Sequence, residues 1–154
     1  MKKDIKELIK WTLNRINMYS EDAASLIYRT GQAESGYRIL RQYGQGPAIG
    51  FFQLEPATMN DIIDNYVDYR PQIKTDLYSL GYDDSDGAEL RVMGNIHLQI
   101  AFCRLKYRRD KHPIPKTSDI IAQAEYWKRV YNSHLGKGTV EHFLKANGYE
   151  ENNK

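Results

Sequence analysis

Residues 20–36 read Ser20-Glu21-Asp22-Ala23-Ala24-Ser25-Leu26-Ile27-Tyr28-Arg29-Thr30-Gly31-Gln32-Ala33-Glu34-Ser35-Gly36. Ser20 is a good N-cap, because its hydroxyl can accept from an orphan backbone N–H, and Glu21 and Asp22 sit where the helix dipole favours negative charge. Ala23, Leu26, Ile27 and Ala33 recur at helical spacing, and Gly36 suits the left-handed turn that stops a helix. The stretch predicts an amphipathic helix that delivers a glutamate at its end. Toward the N-terminus, Ile5, Leu8, Ile9, Leu13 and Ile16 make a second helical stripe within residues 1–19.

Toward the C-terminus the same periodicity continues. Tyr37 to Phe52 is rich in glycine and tyrosine and reads as a loop lining something. Pro56 suits the first turn of a helix carrying Met59, Ile62, Ile63 and Tyr66. Residues 69–87 read as irregular, with Arg70-Pro71 and Asp83-Asp84-Ser85-Asp86-Gly87 as breakers. A long helix is predicted from Ala88 to Arg109, with Leu90, Met93, Ile96, Ile100 and Leu105 as its buried stripe. After the His112-Pro113-Ile114-Pro115 connector, Thr117 or Ser118 caps a helix that runs to Tyr131. Residues 133–138 form a turn, Thr139 caps a last helix that Gly148 ends, and 149–154 is a polar, frayed tail. Strand alternation is nearly absent, so the expected fold is one mainly α domain spanning residues 1–154.

Composition agrees. A chain of 154 residues, 41% hydrophobic and 27% charged, is long enough for one core and too apolar to be disordered. A net charge of +2, with the signs mixed along the chain, argues against a nucleic-acid surface. No apolar run is long enough for stable membrane insertion, and Met1-Lys2-Lys3 is followed by alternating charge rather than by the apolar core of a signal peptide. Cys103 alone excludes a disulfide framework, and no cluster has metal-ligand spacing, so no metal or cofactor is expected. Twelve tyrosines beside four phenylalanines suit a wet, concave binding surface.

Glu34 is the first candidate for chemistry. A carboxyl partly buried at a helix end has its pKa raised by desolvation and can act as a general acid near neutral pH, as glycosidic cleavage requires. The plainer alternative is an ion pair with Arg29, Arg38 or Arg41. Downstream lie Gly50-Phe51-Phe52-Gln53, then Pro56-Ala57-Thr58, and late in the chain Tyr131-Asn132. With Glu34-Ser35, these four elements resemble, in order and approximate spacing, the soluble lytic transglycosylase domain of the lysozyme-like superfamily. The resemblance runs from about Ser20 to Leu144. Departures are Phe52 in place of the family's methionine, Pro47 in place of a glycine, and a longer turn after Asn132.

The resemblance implies a lysozyme-like α-helical domain with a substrate cleft that cleaves peptidoglycan between N-acetylmuramic acid and N-acetylglucosamine. Glu34 would protonate the leaving oxygen and then act as base on the muramic C6 hydroxyl, forming an anhydro ring. Tyr131 and Asn132 would hold Glu34 and the N-acetyl group. Ser35, Gly50, Phe51, Phe52 and Gln53 would line the sugar subsites, with Tyr37 and Tyr43 as stacking platforms. The partner is the glycan strand. As in similar phage-encoded enzymes, a protein made in the cytoplasm would reach the wall in a virion or with a holin-type partner.

No Asp or Glu lies between Glu34 and Gln53, which favours a one-carboxylate mechanism. A muramidase that uses water needs a second acid, for which Glu55 and then Asp61 are the candidates. Glu55 is equally well placed to cap the helix that starts at Pro56. A third alternative is a glycan-binding module without catalysis. The basic run Arg104 to Lys111 suits a helix C-terminus, with salt-sensitive attraction to an anionic cell wall as the alternative. His134 and His142 flank the late turn as surface histidines or, alternatively, as substrate contacts.

Overall fold

The computed structural model describes residues 1–41, 46–85, 87–132 and 136–149. Helices account for its regular structure, and among the described residues the only β pairing is a pair of isolated bridges, Arg41 with Ile49 and Ile49 with Leu54. Helix α1 (Lys2–Arg15) presents the expected stripe, with Ile5, Ile9 and Leu13 buried and Ile16 buried just past its end. Each such side chain contributes about 1.5–3 kcal/mol relative to leaving it in water. Helix α2 (Glu21–Glu34) begins where Ser20 Oγ accepts from Ala23 N at 3.0 Å. Pro56 opens α3 (Pro56–Asn65), and a 3-10 turn (Val67–Tyr69) follows.

Residues 69–87 are not irregular throughout. Pro71 starts α4 (Pro71–Ser79) rather than breaking a helix, because its missing N–H is one of the orphan donors of a first turn. The single helix predicted over 88–109 is two. Gly94 ends α5 (Ala88–Met93), and Asn95 caps α6 (Ile96–Arg108) by accepting from Leu98 N at 3.1 Å. The break leaves Leu90, expected in the buried stripe, 66% exposed.

Helix α6 is the hub. Leu98, Ile100, Ala101, Phe102, Cys103 and Leu105 are buried, and the helix packs against α1, α2, α3 and α5. Asp119, not Thr117 or Ser118, caps α7 (Ile120–Tyr126), accepting from Ala122 N at 3.0 Å. At Trp127 the α-helical pattern widens into a π-turn (Trp127–Asn132). Thr139 caps α8 (Val140–Ala146), which packs on α2 and α7. Helix α2 thus packs against α1, α6 and α8, and its end meets the π-turn at Trp127 and α8 at His142. Among the described residues no helix is long and apolar enough to cross a membrane.

Candidate active site

Glu34 is the last residue of α2, and the helix stops there for a local reason. Ser35 N and Gly36 N both bond to Gly31 O at 3.0 Å, and Gly36 turns the chain at φ +61°. The chain then folds back so closely that a Cβ on Gly31 would lie 2.2 Å from the Tyr37 hydroxyl. Tyr37 sits at φ +59°, donates to Tyr28 O at 2.8 Å and packs its ring among Tyr28, Phe51 and Phe52. It is 5% exposed. Its ring is therefore core and offers no face to a sugar, contrary to the expectation of a stacking platform. Phe52 is likewise buried, whereas Phe51 stays partly exposed.

Three of the four motif elements meet. Ser35 Oγ donates to Phe51 O at 2.6 Å, tying the end of α2 to residues 50–53. Tyr131 Oη donates to the next carbonyl, Phe52 O, at 2.7 Å. Tyr131 is itself buried, stacked on Tyr107 at 5.1 Å. Its hydroxyl is thus committed to the Phe52 backbone rather than to Glu34. Residues 50–53 make a tight turn in which Gly50 (φ +75°) and Gln53 (φ +49°) are both left-handed. Gly50 N donates to Leu40 O at 2.7 Å, and Gln53 Nε2 donates back to Gly50 O at 2.8 Å. The fourth element, Pro56-Ala57-Thr58, opens α3 directly after this turn.

Helix α6 supplies two supports. Gln99 Oε1 accepts from Phe51 N at 2.9 Å, while its Nε2 donates to Val92 O and Met93 O. A Cβ at Gly50 would lie 2.9 Å from this amide, so the approach requires glycine. Lys106 Nζ donates to Tyr131 O at 2.5 Å and sits 4.2 Å from the centroid of the Tyr131 ring.

The Glu34 carboxylate faces the π-turn. Trp127 Nε1 donates to Glu34 Oε1 at 3.2 Å. Burial pushes the carboxyl up to about 7, and it outweighs the Trp127 hydrogen bond and the Lys106 charge, which both pull downward. None of the arginines proposed to pair with Glu34 is an ion-pair partner among the described residues. Arg29 donates to Thr117 O and Gln123 Oε1, and Arg41 pairs with Glu89. Behind Glu34, His142 Nε2 lies 2.7 Å from Ala33 O. A carbonyl only accepts, so the proton is on Nε2 and His142 braces the helix end.

Asn132 Oδ1 accepts from Lys128 Nζ at 2.9 Å. Gly138 closes over it, since a Cβ there would lie 2.5 Å from Trp127 Cη2 and 2.9 Å from Asn132 Nδ2. Gly138 is therefore seated against the tryptophan that touches Glu34. Tyr43 and His134 lie outside the described residues.

The two second-acid candidates differ. Asp61 is ion-paired to Arg109 and accepts from Asn65 Nδ2 at 2.6 Å; the Arg109 and Asn65 hydrogen bonds hold its carboxyl below the usual range. It is bound to its own partners on an exposed face. Glu55 is exposed, precedes Pro56 and makes no capping hydrogen bond with its side chain. Its charge and that of Glu34 both act on Lys106, opposing the burial that lowers the lysine's pKa.

The sequence reading missed Trp127, Lys106 and Gln99 as site residues. Trp127 is four positions before Tyr131, on the same helical face, and that spacing is the one signal that pointed to it. Two surface cavities, of about 520 Å³ over α1 at Trp11 and about 480 Å³ beside Arg104, are not lined by Glu34. Among the described residues no group of three or more His, Cys, Asp or Glu could hold a metal ion. Comparison of the chain with protein-family models, curated proteins and solved structures finds no match.

Proposed function

We propose that the chain is a peptidoglycan lytic transglycosylase in which Glu34 is the one catalytic carboxyl. The observation that carries this reading is the half-buried Glu34 carboxyl, raised to about 7 and held by Trp127 where the Ser35–Phe51 and Tyr131–Phe52 hydrogen bonds converge. A carboxyl with that value is part protonated and part ionised at neutral pH, which suits an acid that must next act as a base.

Glu34 gives its proton to the glycosidic oxygen as the bond to the muramic C1 breaks, releasing the N-acetylglucosamine hydroxyl. The resulting carboxylate then removes the proton of the C6 hydroxyl, whose oxygen closes on C1. Glu34 ends protonated, as it began, and no water is consumed. The Trp127 N–H stabilises the carboxylate between the two steps. Phe51 and the backbone of residues 50–53 would meet the sugars, and Asn132 the N-acetyl group. Tyr131 is a positioning residue that fixes Phe52 O.

A muramidase is the second reading, favoured by one observation: Glu55 follows the 50–53 turn directly and its side chain is not used to cap α3. The first test is release of soluble fragments from purified peptidoglycan. Wild type is expected to release them and Glu34→Gln to release none while keeping its helical circular dichroism. Binding without release by both proteins would leave a glycan-binding module instead.

A further inference from the structure

The basic run Arg104 to Lys111 is not consumed by the Glu34 site. Lys106 turns toward Tyr131 and Arg109 toward Asp61. Arg104 and Arg108, one helical turn apart, face another side. With Lys111 they line the cavity of about 480 Å³ between the end of α6, the start of α2 and the connector that follows α6.

Arg104 is the unusual member. It is 8% exposed, and its one protein hydrogen bond among the described residues runs from Nε to Met18 O at 3.3 Å. Among the described residues no carboxylate pairs with Arg104, Arg108 or Lys111. Two carboxylates also line the cavity, Asp22 and Asp110, and both keep their charge. Neither is within ion-pair distance of Arg104, Arg108 or Lys111, so three cations face two carboxylates that are held by other donors. Asp22 Oδ1 accepts from Thr117 N at 2.8 Å and Thr117 Oγ1 at 2.9 Å. Asp110 Oδ2 accepts from His112 N and from Tyr126 Oη, both at 3.1 Å. A guanidinium withdrawn from water beside a second guanidinium, with no carboxylate in ion-pair contact, is costly. Burial and then the like charge of Arg108 accordingly pull the Arg104 pKa down.

We propose that this cavity is a binding site for one oxyanion, a phosphate or carboxylate group, gripped by the Arg104 and Arg108 guanidinium forks with Lys111 as a third donor. Planar guanidinium pairs match such groups with parallel N–H donors, and the anion offsets the one cation by which the cavity's lining exceeds its carboxylates. The volume exceeds that of a lone ion and accommodates a small organic residue carrying the anion. The chain's near-neutral total charge is no obstacle, because the excess of cations is local. The site does not depend on the role assigned to Glu34, and neither proposal falls with the other.

Isothermal titration of the full chain with inorganic phosphate and, separately, with sodium acetate tests the assignment, with ionic strength held constant by sodium chloride. Wild type is expected to show saturable one-site binding. Arg104→Gln and Arg108→Gln are each expected to weaken it by about tenfold or more. Saturation by phosphate alone identifies a phosphoryl ligand, and saturation by acetate a carboxylate. Arg108 is exposed, so its variant keeps the fold and decides the matter even where Arg104→Gln unfolds. No saturable heat with either anion, or undiminished binding by Arg108→Gln, overturns the proposal.

Discussion

Replacing Glu34 with glutamine isolates what burying its carboxyl does to the fold. The folded chain binds this proton up to about pH 7, whereas the ordinary value is 4.5. Between those values the folded chain holds a proton that the unfolded chain has lost, so stability falls as pH rises. The contribution is fully present below pH 4.5 and gone once pH has passed through about 7. A gap of roughly 2.5 pH units at about 1.4 kcal/mol each gives about 3.5 kcal/mol, and the remaining solvent contact reduces it to about 2–3 kcal/mol. Urea unfolding followed by far-ultraviolet circular dichroism, at about pH 5 and about pH 8.5, measures it in both proteins. Wild type should lose about 2–3 kcal/mol more over that interval than Glu34→Gln, because every other titrating group is common to the two. Parallel losses would mean that the carboxyl is solvated, and the physical basis for Glu34 as a neutral-pH acid would be gone.

Trp127→Phe removes the N–H that favours the Glu34 carboxylate, so the pH above which peptidoglycan cleavage declines should move upward; a downward move contradicts the assignment. Asp61→Asn should cleave at the wild-type rate, since Asp61 is occupied by Arg109 and Asn65. Glu55→Gln should keep most of its turnover under the lytic mechanism, and a loss of about a hundredfold or more would instead mark Glu55 as a base acting on water. Gly50→Ala forces a Cβ to within 2.9 Å of Gln99 at φ +75°, for which about 1–3 kcal/mol of destabilisation is expected in denaturant titration; an unchanged midpoint would show that the turn can relax.

How much of this was legible depended on distance along the chain. The start of α2 at Ser20 and its stop at Gly36 are local matters of capping and left-handed backbone, and both were readable. The break at Gly94-Asn95 was not, because Ile96, Ile100 and Leu105 continue a helical spacing that also suits one long helix. What divides it is tertiary: Asn95 reaches back to Leu80 O at 2.9 Å while capping α6. Pro71 reads as a breaker in sequence because proline both ends helices and begins them. At the site, Glu34 and the 50–53 turn stood out by residue type. Tyr37 misled, since a tyrosine in a glycine-rich loop suits a binding face as well as a core, and only the close approach of Gly31 draws it inward. Trp127 reaches Glu34 across 93 positions, a pairing that no local pattern encodes.

In the proposed mechanism one carboxyl both breaks the glycosidic bond and closes the anhydro ring. Mass spectrometry of the fragments released from purified peptidoglycan measures this directly. Products ending in anhydro-muramic acid, lighter by one water than the hydrolysed fragments, are the predicted result. Fragments with reducing muramic ends would contradict it and transfer the chemistry to a water-activating second acid.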